Sequence, residues 1–277
     1  MHIIVPIKQV PETSNVKMDP DTGTMLRTTV EGIINPLDLF AIEAALRLRE
    51  AKGGTVTTIS MGPPKAESAL RDALAMGCDR AVLLCDRRFA GSDTWATAYT
   101  LALAIQKLAP FDLVICGERA TDGETGQVGP GIAAYLDLPL ATYVSQIIEA
   151  GDDFLRLERM VEGGREQVWS PLPMVLAVLK EAGVPRLGTV RSKLQARKAE
   201  IPIWSPDDIG SKEEWIGLKG SPTRVVKIYS PNLARKGDVI LVEKPEDLDK
   251  AALAFIQFLK DRQLTDFIPP NGREHNP

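Results

Sequence analysis

At 277 residues the chain is longer than one hydrophobic core usually fills, which points to one large domain with an appendage. A net charge of −4 argues against general nucleic-acid binding, and no apolar run approaches the roughly 20 residues that span a bilayer, so no membrane insertion is expected. The only two histidines, His2 and His275, stand at opposite ends, so the inventory excludes a Ser-His-Asp, Cys-His or His-rich metal site in the body of the chain.

The opening residues, Met1-His-Ile-Ile-Val-Pro-Ile-Lys8, enter a strand pattern directly. They show no basic leader and no small-residue cleavage site, so no signal peptide is read and a cytoplasmic setting is expected. Cys78, Cys85 and Cys116 lack Cys-x-x-Cys spacing and fit reduced, structural thiols.

The continuously apolar run at residues 3–7 suits a parallel strand buried on both faces. Residues 8–34 then hold turn chemistry, with Pro11, Asp19, Pro20, Asp21 and Gly23, and room for a short hairpin around residues 21–23. Asn35-Pro36 opens a helix, where Asn can cap and Pro suits the first helical position. Leu37, Phe40, Ala41, Ala44, Ala45 and Leu48 give it one buried stripe, and Gly53-Gly54 ends it. A β-branched strand follows at 55–61, then a helix from about Pro64 to Gly77, a strand at 80–85, a helix opened by Ser92-Asp93-Thr94 and running to Leu108, and a strand at 112–116.

This alternation predicts a mostly parallel α/β sheet with helices on both faces. In such sheets ligands sit at the carboxyl ends of the strands, near the switch in strand order. Beyond Pro139 the pattern changes. Residues 142–150, 153–161, 167–169 and 174–178 read as strands of an antiparallel meander extending the sheet. Residues 181–277 read as loops and an irregular arm, broken by Pro185, Pro202, Pro206, Pro222, Pro231 and Pro245, with one helix from about Pro245 to Asp261.

The stretch 116–130, Cys-Gly-Glu-Arg-Ala-Thr-Asp-Gly-Glu-Thr-Gly-Gln-Val-Gly-Pro, joins a strand to a helix at 128–136 through a glycine-rich polar turn. Such a turn can cradle an anion on backbone amides and the helix N-terminus, or simply connect two elements tightly. It contains no Lys and so is not a triphosphatase loop, nor does it match Gly-x-Gly-x-x-Gly. With Asp122 and Glu124 in it, affinity for phosphate must come from backbone amides and hydroxyls such as that of Thr125. Helix capping accounts fully for Asn35-Pro36, and for residues 92–94 local evidence favours capping over a ligand role. The basic run Arg186, Arg191, Lys193, Arg197 and Lys198 reads as a solvated face or as a surface steering an acidic partner.

The chain resembles the β subunit of electron-transfer flavoprotein. The likeness covers nearly all of it and rests on Val5-Pro-Ile-Lys-Gln-Val-Pro11, Asn35-Pro36-Leu-Asp38, Met61-Gly-Pro-Pro64, Leu70-Arg-Asp-Ala-Leu-Ala-Met-Gly77, the glycine-rich turn and Gln195-Ala-Arg-Lys-Ala199. No single piece is specific, but the combination in this order is. The resemblance implies a three-layer α/β/α fold of the adenine-nucleotide-binding type over residues 1–180. It implies a recognition loop and an extended C-terminal arm, packing on a partner subunit, over residues 181–277.

It further implies pairing with an α subunit that carries FAD, and a nucleotide bound by this chain. Adenosine would lie near Pro6, Asn35, Asp38 and Met61. The phosphates would lie on Asp122, Gly123, Glu124, Thr125, Gly126, Gln127, Val128, Gly129 and Pro130. Val190, Arg191 and Lys193 would belong to the loop that docks acyl-CoA dehydrogenases or related flavin dehydrogenases.

The β subunits of this family come in two kinds. One holds AMP as a structural element. The other binds a second FAD, takes electrons from NADH and bifurcates them, one toward the dehydrogenase through the α-subunit FAD and one toward a low-potential acceptor such as ferredoxin. The AMP kind resembles Asp-Asp-x-x-Asn-Gln-Thr-Gly-Gln in the turn. Here Asp122-Gly-Glu-Thr-Gly-Gln127 is shorter and lacks the Asn, which together with Gly91-Ser-Asp-Thr94 is similar to the FAD-binding, electron-bifurcating kind. A shorter turn leaves room beside a diphosphate that FAD needs and AMP does not. Asp93 and Thr94 would then lie near the isoalloxazine. The expectation is an electron carrier whose redox chemistry is the flavin's. The alternatives are an AMP-holding subunit and an adenine-nucleotide hydrolase or sensor on the same fold.

Overall fold

The computed structural model describes residues 1–12, 32–224 and 239–264. The chain divides into two compact units, Met1–Ile228 and Tyr229–Pro277.

The first unit is built on a nine-stranded sheet. Its strands are β1 (His2–Pro6), β4 (Thr55–Met61), β5 (Arg80–Leu84), β6 (Leu113–Gly117), β7 (Leu140–Ala150), β8 (Phe154–Val161), β9 (Gly164–Pro171), β10 (Met174–Val178) and β11 (Ile203–Trp204). Their spatial order is β11-β5-β4-β1-β6-β10-β7-β8-β9. Strands β11, β5, β4, β1, β6, β10 and β7 pair in parallel, and the β7–β8 and β8–β9 pairs are antiparallel.

Helices fill both faces, giving the expected three layers. Helices α1 (Pro36–Lys52) and α2 (Glu67–Met76) cover the face that carries Ile3, Val5, Val56, Leu83 and Ile115. Helices α3 (Thr94–Lys107) and α4 (Val128–Leu136) cover the face that carries Ile4, Ile59, Val82, Leu84 and Val114. Alternate residues of one strand thus enter opposite cores, as the two-residue side-chain period of a strand requires.

Three parts differ from the expectation. Met174–Val178 is not part of the meander. It returns to the middle of the sheet and lies parallel between β6 and β7. Its five residues are all buried, the pattern of a strand covered on both faces, whereas β8 alternates buried Leu155 and Leu157 with exposed Arg156. Residues 9–11 and 32–34 form a two-stranded antiparallel ribbon, β2 (Gln9–Pro11) with β3 (Gly32–Ile34). The hairpin expected at 21–23 lies outside the described residues.

Residues 181–224, read as part of an irregular arm, are woven onto the first unit. They contain helix α5 (Val190–Lys198) and the edge strand β11, which pairs with β5. The second unit contains α6 (Asp247–Asp261), where a helix was expected. Among the described residues, no helix is long and apolar enough to cross a membrane.

Candidate functional site

The chain runs outward from β1 to β4 and β5 with helices on one face, then returns to the other side of β1 to form β6 and puts its next helices on the opposite face. The carboxyl ends of β1 and β6 therefore flank the switch point, where a parallel sheet opens a crevice. Pro6 ends β1, Met61 ends β4, Asn35 and Asp38 stand at the start of α1, and the glycine-rich turn follows β6.

The turn is shaped to leave amides free. Its first part closes on itself, with the Glu124 amide donating to the Ala120 carbonyl at 2.8 Å. Glu124 (φ 52°) and Gly126 (φ 63°) then adopt left-handed backbone. The first hydrogen bond of α4 runs from the Gly131 amide to the Gln127 carbonyl at 2.9 Å. The amides of Thr125, Gly126, Gln127, Val128 and Gly129 find no acceptor among the described residues. Pro130, in the first turn of α4, has no N–H to satisfy.

A row of unpaired amides at a helix N-terminus fits a bound phosphate or diphosphate. The Thr125 hydroxyl stands 3.2 Å from that of Thr94, which brings the start of α3 to the same place. Gly129 serves this geometry from behind. A Cβ there would point to the sheet at ordinary contact distance, 3.5 Å from the Cys116 Cβ and 3.8 Å from that of Ala177, so the start of α4 lies within van der Waals reach of β6 and β10.

Asn35 does more than begin a helix. Its carbonyl accepts the Asp38 amide at 2.9 Å, but its side chain makes no cap. The side-chain amide instead donates to the Arg119 carbonyl at 2.8 Å, and its oxygen accepts the Thr121 amide at 3.1 Å. The start of α1 is thereby fastened to the turn after β6. Gly117 permits the approach, because a Cβ there would fall 2.9 Å from the Leu37 carbonyl carbon and collide with the Asp38 carboxylate.

Asp38 is buried and accepts the Lys8 amide at 2.7 Å. Burial pushes its carboxyl up to about 7, against the opposing pull of the Lys8 amide, the Asn35 side chain and the Lys8 charge. Burial, then the nearby Asp38 carboxylate, push the Cys116 thiol up to about 12, so this cysteine is an inert wall of the site.

Asp93 caps α3 by accepting the Ala96 amide at 3.1 Å. Its second oxygen accepts the Thr223 amide and hydroxyl at 2.9 and 2.8 Å, while its own amide donates to the Ser221 hydroxyl at 2.8 Å. Lys8, Ser221 and Thr223 were not among the expected site residues. Ser221 and Thr223 lie 128 and 130 residues from Asp93, and no local pattern marks them.

Val190, Arg191 and Lys193 are not brought to this crevice. They begin α5, which packs along α2. Gly188 lies against Ala75 at the end of α2, and Arg71 near its beginning donates to the Ala196 carbonyl at 2.6 Å. Helix α5 therefore runs antiparallel to α2, and its start, with exposed Val190 and Leu194, lies toward the amino edge of the sheet.

Residues 22–209 match a family model described as electron transfer flavoprotein domain. The chain is similar to the electron transfer flavoprotein subunit beta of Thermoanaerobacterium thermosaccharolyticum, at 49% identity over 240 residues, covering 86% of this chain and 92% of that one. It is similar to protein FixA of Azorhizobium caulinodans, at 44% identity over 281 residues, covering 99% of each. It is also similar to subunit CarD of the caffeyl-CoA reductase-Etf complex of Acetobacterium woodii, at 45% identity over 265 residues, covering 95% of this chain and 100% of that one. With the crevice, the turn and these near full-length likenesses together, the chain belongs to the electron-transfer flavoprotein β-subunit family, whose work is electron transfer.

Proposed function

We propose that this chain is the β subunit of a heterodimeric electron-transfer flavoprotein and that its crevice binds FAD and receives electrons from NADH. The observation that carries the reading is the short turn whose five amides, 125 to 129, find no acceptor among the described residues, next to the hydroxyls of Thr94 and Thr125. The similarity to a subunit of a caffeyl-CoA reductase-Etf complex supports assembly with an α subunit and a flavin dehydrogenase.

When bound, FAD would supply the redox chemistry, accepting hydride from NADH and passing single electrons toward the α-subunit FAD and toward a low-potential acceptor such as ferredoxin. The residues of this chain bind and orient. The amides of Thr125, Gly126, Gln127, Val128 and Gly129 hold the diphosphate. Gly123 lies on the open outer side of the turn, where a Cβ would meet no atom within 4 Å. Pro6, Asn35, Asp38 and Met61 wall the adenosine end, and Asp93 and Thr94 orient the ring end. Val190, Arg191 and Lys193 on α5 dock the dehydrogenase at the other edge of the sheet, so the two binding surfaces do not compete for space.

An anaerobic NADH titration of the purified heterodimer tests the electron-donor part. Flavin absorbance should bleach before any dehydrogenase or ferredoxin is added. Flavin that stays oxidised under excess NADH would contradict the reading and favour the AMP-holding kind.

A further inference from the structure

The phosphate turn carries no lysine of its own, and its carboxylates repel the ligand proposed for it. A lysine reaches it from elsewhere. The Lys8 ammonium, just past the end of β1, lies 2.6 Å from an Asp122 oxygen of the turn. The Lys8 amide is fixed on buried Asp38, so the base of the side chain is held at the crevice while its end is free to move. The ion pair is open to solvent, with the Lys8 side chain 48% and that of Asp122 34% exposed. An exposed pair of this kind is weak and easily redirected. The other charges of the turn are spoken for or repulsive: Arg119 pairs with Glu118, and Glu124 adds a further negative charge.

We infer that Lys8 is the phosphate-binding cation of the nucleotide site, stationed by Asp122 across the crevice so that phosphorylated adenine ligands are held over unphosphorylated ones. This rests on the nucleotide reading above. It assigns Asp122 to holding the lysine rather than touching the phosphates. A lysine that enters from β1 would also tie the two strand ends of the switch point together through the ligand.

The full chain, freed of nucleotide, can be titrated with ADP and with adenosine by calorimetry. Lys8→Met should weaken ADP about tenfold, the loss of one charge-assisted hydrogen bond, and leave adenosine unchanged. Asp122→Asn, which frees the lysine and removes a repelling charge, should bind ADP more tightly than the parent chain. The inference is overturned if Lys8→Met weakens ADP and adenosine alike or changes neither, or if Asp122→Asn weakens ADP as Lys8→Met does, since the pair would then only brace the turn. A parent chain that binds neither ADP nor adenosine would overturn the nucleotide reading itself and this inference with it.

Discussion

Asp38 shows how one residue can couple strand ends to a crevice. It sits in the first turn of α1, where a carboxylate suits the helix dipole, yet it is buried and faces the Lys8 amide rather than water. Its carboxyl titrates near 7 in the folded chain, against an ordinary value of 3.8. A raised folded value means that the folded state binds a proton the unfolded state has released between roughly pH 4 and 7. Stability therefore falls as pH rises through that window, by about 1.4 kcal/mol per unit at most, and levels off above 7. Asp38→Asn should flatten this slope, because an amide cannot ionise, and denaturant unfolding at pH 5 and pH 8 would measure it. An unchanged slope would mean that Asp38 is not the group responsible. Asn35 marks what was legible at this scale. Its place at a helix start was plain, but its side-chain partners at Arg119 and Thr121 are 84 and 86 residues away and left no local trace.

At the scale of elements, α5 escaped sequence reading for a physical reason. Its nine residues, VRSKLQARK, bury only Ala196, so no apolar stripe announces a helix. It is held instead by a cap and by an arginine from α2. Thr189 accepts the Ser192 amide at 3.1 Å, and Arg71 of α2 holds the carbonyls of Ala196 and Ala199. Before it, Arg186 clasps α1, with its Nε 2.8 Å from a Glu43 carboxylate oxygen and a further contact to Glu50.

Glu43 is buried. Although burial alone would raise its pKa, hydrogen bonds from Arg186 and Arg47 outweigh this and hold it below the usual range. Arg186→Met should cost about 2–3 kcal/mol in denaturant unfolding at pH 7, because Glu43 would keep its charge with only Arg47 to meet it. A lowered value means that the stabilisation is present above the ordinary Glu range and lost as pH falls below it, so the penalty should shrink in acid. A penalty below about 0.5 kcal/mol at pH 7 would place Arg186 among ordinary surface charges. Strand β10 was misplaced for a different reason. Neighbours in sequence usually pair in space, and here the chain passes from the outer strand β9 back to the centre of the sheet.

At the scale of the whole molecule, the alternating strands and helices of residues 1–137 were legible because each has a strong period and a clear stop, and they place the crevice. The second unit has a different character. Helix α6 leaves Leu248, Leu253, Phe255, Ile256 and Phe258 exposed, apolar surface of the kind that partners cover. In the proposed heterodimer this arm packs on the α subunit. Phe255→Asp combined with Phe258→Asp should abolish co-purification of the α subunit while the chain keeps its thermal unfolding transition, and an intact heterodimer would show that the arm is not the contact. In the proposed heterodimer the short turn after β6 holds a second flavin. Denaturing the purified heterodimer and separating the released nucleotides measures it directly. Two FAD and no AMP per heterodimer is the predicted result, and one FAD with one AMP would contradict it.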